Sequence, residues 1–75
     1  MNYKLKDGGV INASTPEEFV TNMRKSSRFD SDCSDAQYME NFAGRFKIQE
    51  GRDISFDSAE HFLQDLLDDG FVRKK

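Results

Sequence analysis

"NYKLKDGGVINAS", residues 2–14, decides how this chain folds. Apolar and polar residues alternate on both sides of a Gly-Gly pair, the pattern of a β-hairpin. Two pairings compete around Asp7, Gly8 and Gly9. A two-residue turn sets Lys4 opposite Ile11 and mixes the faces. A three-residue loop sets Leu5 opposite Ile11, Tyr3 opposite Ala13 and Lys4 opposite Asn12. Side chains alternate strictly along a strand, so only the second register gathers the apolar residues on one face. That register is expected, with Gly9 in the left-handed conformation of a bulge.

Outward from the hairpin, "STPEEFVTNMRKSS" (14–27) carries strong helix signals. Thr15 suits the N-cap and Pro16 the first helical position. Glu18, three residues after Thr15, completes a capping box. Phe19, Val20 and Met23 form the inner face. Arg24 and Lys25 fall at the C-terminus, where the helix dipole favours cations. After the polar connection "RFDSDCSD" (28–35), Ser34 is placed as cap of a second helix beginning "DAQYMENFAGRF" (35–46). Met39, Phe42, Ala43 and Phe46 share a side. Ile48 falls opposite Met39, so this helix is expected to end near Phe46 or Lys47. Gly44 inside it costs about 1 kcal/mol against alanine, and close packing is one account of its presence.

"RDISFD" (52–57) reads as a short strand, and "DSAEHFLQDLLDDGF" (57–71) as a third capped helix. Asp57 and Glu60 make a second capping box, with Phe56 and His61 at the staple positions. Ala59, Phe62, Leu63, Leu66 and Leu67 are its buried face. Gly70 is the left-handed cap, in an ending that would bring Phe71 onto Leu66. "FVRK" (71–74) is a final strand. Ile11, Ala13 and Phe19 match Ile54, Phe56 and Phe62 at one constant offset. This faint repeat suggests that the first and third helices pack alike on one sheet, although strand-to-helix junctions share residue types for physical reasons.

The 75 residues make one small domain, 1–75. Expected strands are 2–6, 10–13, 53–56 and 71–73, with helices 16–26, 35–47 and 58–69. The fold class is α+β: a hairpin and two further short strands in one sheet, covered by three helices. The expected core is Leu5, Ile11, Phe19, Met23, Met39, Phe42, Phe46, Ile54, Phe56, Phe62, Leu63, Leu66 and Phe71. Cys33 is the single cysteine, so no disulfide forms within the chain. Cys33 and His61 alone do not meet the needs of a structural zinc site. The start "MNYKLKDGG" is too polar for a signal peptide, and no apolar run approaches a membrane span. A lone thiol then suggests a cytoplasmic setting, in which the "NAS" sequon at Asn12 is chance. A net charge of −3 gives no general attraction to nucleic acid or to anionic membrane.

Several residues invite a chemical role. His61 with Asp65 on one helix face resembles half of a catalytic pair, but no nucleophile stands nearby in sequence. A first-turn residue closing over Phe56 is the preferred account, and a metal at His61 with Asp57 or Asp65 lacks a fixed ligand set. "DSDCSD" (30–35) fails the calcium-loop pattern, having Asp35 where Gly is needed and Asn41 where Glu is needed. "DGG" (7–9) lacks the lysine of a phosphate loop. Arg24, Lys25 and Arg28 form a small basic cluster suited to an anion, yet dipole compensation explains it more simply. The "RKK" ending (73–75) reads as a soluble tail, and Tyr38 and Phe42, which could stack on bases, sit at core spacing. Asp68 and Asp69 break the charge rule at a helix C-terminus. With Glu60 and Asp65 they make an acidic outer face that could receive a basic partner or the "RKK" tail of another copy.

The blocks "KIQEG" (47–51) and "DSAEHFLQDLLDDGF" (57–71), together with the "EEFV" helix, resemble a family of short uncharacterised proteins of gut bacteria. The resemblance implies a single compact bacterial domain. It carries no activity, cofactor or site residue onto this chain. From the residues themselves, a non-catalytic protein-interaction or regulatory module is expected, self-associating or bound to another protein. A nucleic-acid-associated regulator using Arg24, Lys25, Arg28 and Arg45 is the alternative, and an enzyme ranks third. No cofactor is expected.

Overall fold

The computed structural model describes residues 1–6, 8–27 and 32–74. The elements run β1 (Asn2–Leu5), β2 (Val10–Asn12), α1 (Pro16–Lys25), α2 (Asp35–Glu50), α3 (Ala59–Asp69) and β3 (Val72–Lys74). They form an α+β domain with one three-stranded antiparallel sheet in the order β2-β1-β3. β1 is central, so its alternation governs both neighbours. Tyr3, Leu5, Ile11, Ala13 and Val72 are buried on the inner side. Asn2, Lys4, Val10, Asn12 and Arg73 are exposed on the outer side.

The hairpin register differs from the expected one, yet the faces do not. Tyr3 pairs with Ile11 and Lys4 with Val10. Leu5 N–H donates to the Gly9 carbonyl at 2.8 Å, and Gly8 N–H donates to the Leu5 carbonyl at 2.9 Å. The turn therefore closes one residue earlier than expected. Gly8, at φ 101°, takes the left-handed position assigned to Gly9. Moving each strand's partner by two residues preserves parity, and parity is what burial selects. Asp7 lies outside the described residues.

α1 packs against α3 and β2, and α3 packs against β3. Phe19, Phe62 and Leu66 are completely buried between them. α2 is tied in through α1 and through aromatic rings. Phe42 lies 5.5 Å from Phe62 and 5.7 Å from Phe71, both edge-on, and 5.9 Å from Phe46. Such ring pairs add roughly 0.5–1.5 kcal/mol each beyond area burial. Phe71, expected on Leu66, meets these two α2 rings, lying 5.5 Å from Phe46. Phe42 and Phe71 pack at the margin of the core and are only partly buried. Among the described residues no helix is long and apolar enough to cross a membrane.

Thr15 caps α1 by accepting from Glu18 N–H at 3.1 Å, while Glu18 Oε1 accepts from Ser14 N–H, one residue before the expected partner. Ser34 caps α2 as expected. α2 runs on to Glu50, past the expected end, and stops at Gly51 in the left-handed conformation. Ile48 did not end it, because a side chain 86% exposed simply points at solvent. Ser58, not Asp57, caps α3, its oxygen accepting from His61 N–H at 3.1 Å. The expected strand 53–56 is absent. Ile54 is buried and Phe56, two residues on, is 49% exposed. A strand would have put both on one side, so Phe56 also leaves the expected core.

Removing the side chain of Phe62 or Leu66 should cost about 2–5 kcal/mol, read as a shift in the urea midpoint at constant slope. Normal unfolding of both alanine variants would remove this core assignment. Gly44 is exposed, and a methyl group there would meet nothing within 4 Å. Close packing therefore does not explain it, and Gly44→Ala should stabilise the domain by about 1 kcal/mol in the same assay.

Candidate functional site

The acidic helix face comes apart when its partners are located. α3 carries His61, Asp65 and Asp69 at intervals of one helical turn. The preceding segment, 52–57, runs back along this column. His61 Nδ1 meets the Asp57 carboxylate at 3.1 Å. Asp65 Oδ2 accepts the Ser55 N–H at 2.8 Å. Asp69 pairs with the Arg52 guanidinium. The three contacts hold the segment as a strap, with Ile54 buried beneath it. Arg52 also lies 5.9 Å from the Phe46 ring centre, tying the strap to α2.

These contacts explain most of the anomaly at the end of α3. An anion in the last turn opposes the helix dipole, but the Asp69 side chain is only 11% exposed and holds a cation there. Asp65 likewise serves the strap. Hydrogen bonds from the Ser55 hydroxyl and from its backbone N–H hold the Asp65 carboxyl below the usual range, against slight burial and with help from the charge of His61. Asp68 accepts from Gln64 Nε2 at 2.9 Å within the helix and remains exposed, as does Glu60. The geometry thus leaves Glu60 and Asp68 outward, while Asp65 and Asp69 turn to the strap.

The basic cluster is divided too. Arg24 Nε donates to Asp35 Oδ1 at 2.7 Å, and Thr21 Oγ1 donates to the other carboxylate oxygen. Burial pushes Asp35 upward, but these two hydrogen bonds and the charges of Arg24 and Lys25 outweigh it and hold the carboxyl below its ordinary value. Arg24 is therefore a clamp joining α1 to the start of α2. Lys25 is exposed, and Arg28 lies outside the described residues. Cys33 Sγ receives Asn41 Nδ2 at 3.9 Å, so the thiol and the imidazole of His61 have separate partners. Among the described residues no three His, Cys, Asp or Glu side chains converge to hold a metal ion.

What the fold assembles instead is a cationic row on the outer side of the sheet. Val10 stands opposite Lys4, and Lys4 stands opposite Arg73, so the three side chains cross the sheet in line. All three are exposed. Like charges directly opposite each other on a sheet are unfavourable. Neither Lys4 nor Arg73 meets a carboxylate among the described residues, whereas Lys6, Arg24, Lys47 and Arg52 each do. Sequence reasoning missed this pair. The alternation in "YKLK" places Lys4 outward, and Arg73 falls both in the expected last strand and in the "RKK" tail, but the sequence assigns that strand no neighbour.

Asp65 has a folded pKa below its ordinary 3.8. A carboxyl depressed by folding adds stability that is complete above the unfolded value and is lost as pH falls through the folded one. The strap contribution therefore holds at neutral pH and fades below about pH 4. Thermal melts of Asp65→Asn across that range should show a shallower acid slope than the parent. An identical slope would mean that the Ser55 contact adds nothing. No protein-family model, curated protein or solved structure matches the chain.

Proposed function

We propose that this protein is a small non-catalytic module that binds a protein partner through the open face of its sheet. The observation that carries this reading is Lys4 directly opposite Arg73, both exposed and without a carboxylate among the described residues. A marginal domain of this size has little stability to spare. A repulsive pair between its central strand and β3 is an arrangement that binding explains and folding does not. The neighbouring Val10, 49% exposed, adds an apolar contact of the kind protein interfaces use.

A nucleic-acid role based on Arg24, Lys25 and Arg28 has weaker support, because Arg24 is committed to Asp35. Binding through the outer face of α3 is also less supported, since Asp65 and Asp69 are committed to the strap.

The test is site-specific photo-crosslinking in the source cells. A photoreactive residue at position 10 should give a discrete adduct that protease removes and nuclease does not. The same residue at position 48 on α2 should give none. Adducts at position 10 that nuclease removes, or equal yields at both positions, would replace this reading.

A further inference from the structure

We infer that the occupant of this face is an extended acidic segment of another protein, a conclusion that rests on the binding role proposed for the sheet. The row Val10–Lys4–Arg73 spans all three strands. Beside it, a shallow cleft of about 450 Å³ runs toward the C-terminal end of α3, walled by Lys4, Lys6, Arg73, Gly70 and Phe71. Asp69 also borders the cleft, but its carboxylate is held by Arg52. Lys6 reaches Glu50 at 3.3 Å, leaving Lys4 and Arg73 as the cations of the cleft without a carboxylate among the described residues.

Two adjacent cations repel until an anion sits between them. Neighbouring strands are about 4.8 Å apart, and alternate side chains of an extended chain lie about 6.6 Å apart on one side. Two carboxylates separated by one residue can therefore reach both flexible cations. An apolar side chain two residues further along lies about 13 Å from the first acid, against about 10 Å from Arg73 to Val10, so a long side chain there reaches Val10. The face thus fits a segment in which an apolar residue and two acids occupy alternate positions.

The other occupants fit less well. A second copy cannot pair through this face symmetrically, because Lys4 and Arg73 would meet their own kind. A nucleic-acid backbone offers nothing apolar to Val10.

The experiment is a nuclear magnetic resonance titration of the full chain with a synthetic octaglutamate peptide. An octaglutamine peptide and single-stranded octathymidylate are run beside it. Octaglutamate should move the backbone amides of Lys4, Val10 and Arg73, weaken as salt rises, and be unmatched by octaglutamine. Lys4→Glu and Arg73→Glu should each weaken binding roughly tenfold. Each variant also turns the repulsive pair into an attractive one, so it should melt no lower than the parent. Loss of binding without loss of folding is the signature sought.

Shifts centred elsewhere, unchanged binding by both variants, or tighter binding of octathymidylate would overturn the inference. A protein adduct at position 10 with no response to octaglutamate would keep the binding face and remove the acidic partner. Failure of both experiments would remove both.

Discussion

The alternation of side chains along β1 is the constraint on which the rest of the structure depends. β1 is hydrogen-bonded on both edges, so its inward residues, Tyr3 and Leu5, set the level of the core for β2 and β3 alike. A slip of one residue would bring Lys4 inward and send Leu5 to solvent. Burying an unpaired ammonium costs far more than a short strand can return. The register can therefore move only in steps that keep parity, as the hairpin itself shows. The same alternation creates the outer face. Once Tyr3 and Leu5 are committed to the core, Lys4 must stand outside, and β3 must bring Arg73 beside it.

α3 is the second organising element, and it works on two sides. Phe62, Leu63 and Leu66 bury one side within the core. The column of His61, Asp65 and Asp69 holds the chain that leads into the helix. That segment has no sheet partner, so its backbone needs other acceptors. Asp65 answers the Ser55 N–H, and Asp69 answers Arg52. Charges that look like a surface when the helix is viewed alone are internal fastenings once the chain has doubled back. The same holds at the α1–α2 joint, where Arg24 and Asp35 neutralise each other.

This division sharpens the functional picture. Carboxylates and cations that hold the fold together are poor candidates for recognition, because a partner would have to displace them. Lys25 remains outward, as do Lys4 and Arg73 on the sheet and Glu60 and Asp68 on α3. Lys4 and Arg73 are mutually repulsive, and Glu60 and Asp68 are simply solvated. Mutual repulsion is the more informative, since it lowers the stability of the free protein and is relieved by an oppositely charged partner.

Much of the fold was legible in the residues. Thr15 with Pro16, Ser34 and Gly70 marked helix ends through local hydrogen bonding and backbone conformation, which need no tertiary information. The apolar spacing of Phe19, Val20 and Met23, and of Phe62, Leu63 and Leu66, identified the buried faces for the same reason. The three helices, the hairpin and the last strand followed. Other features were decided by contacts between distant parts of the chain. Asp57 and Ser58 are both good caps, and the engagement of Asp57 with His61 leaves the role to Ser58. "RDISFD" has strand-forming residues, but the Ser55 N–H is taken by Asp65 of α3 rather than by a neighbouring strand. Gly51 ended α2 where Ile48 did not, because one exposed apolar residue costs less than an early break in a helix. The candidate site was hidden most completely. Lys4 and Arg73 lie near opposite ends of the chain, and only the antiparallel pairing of β3 with β1 makes them neighbours.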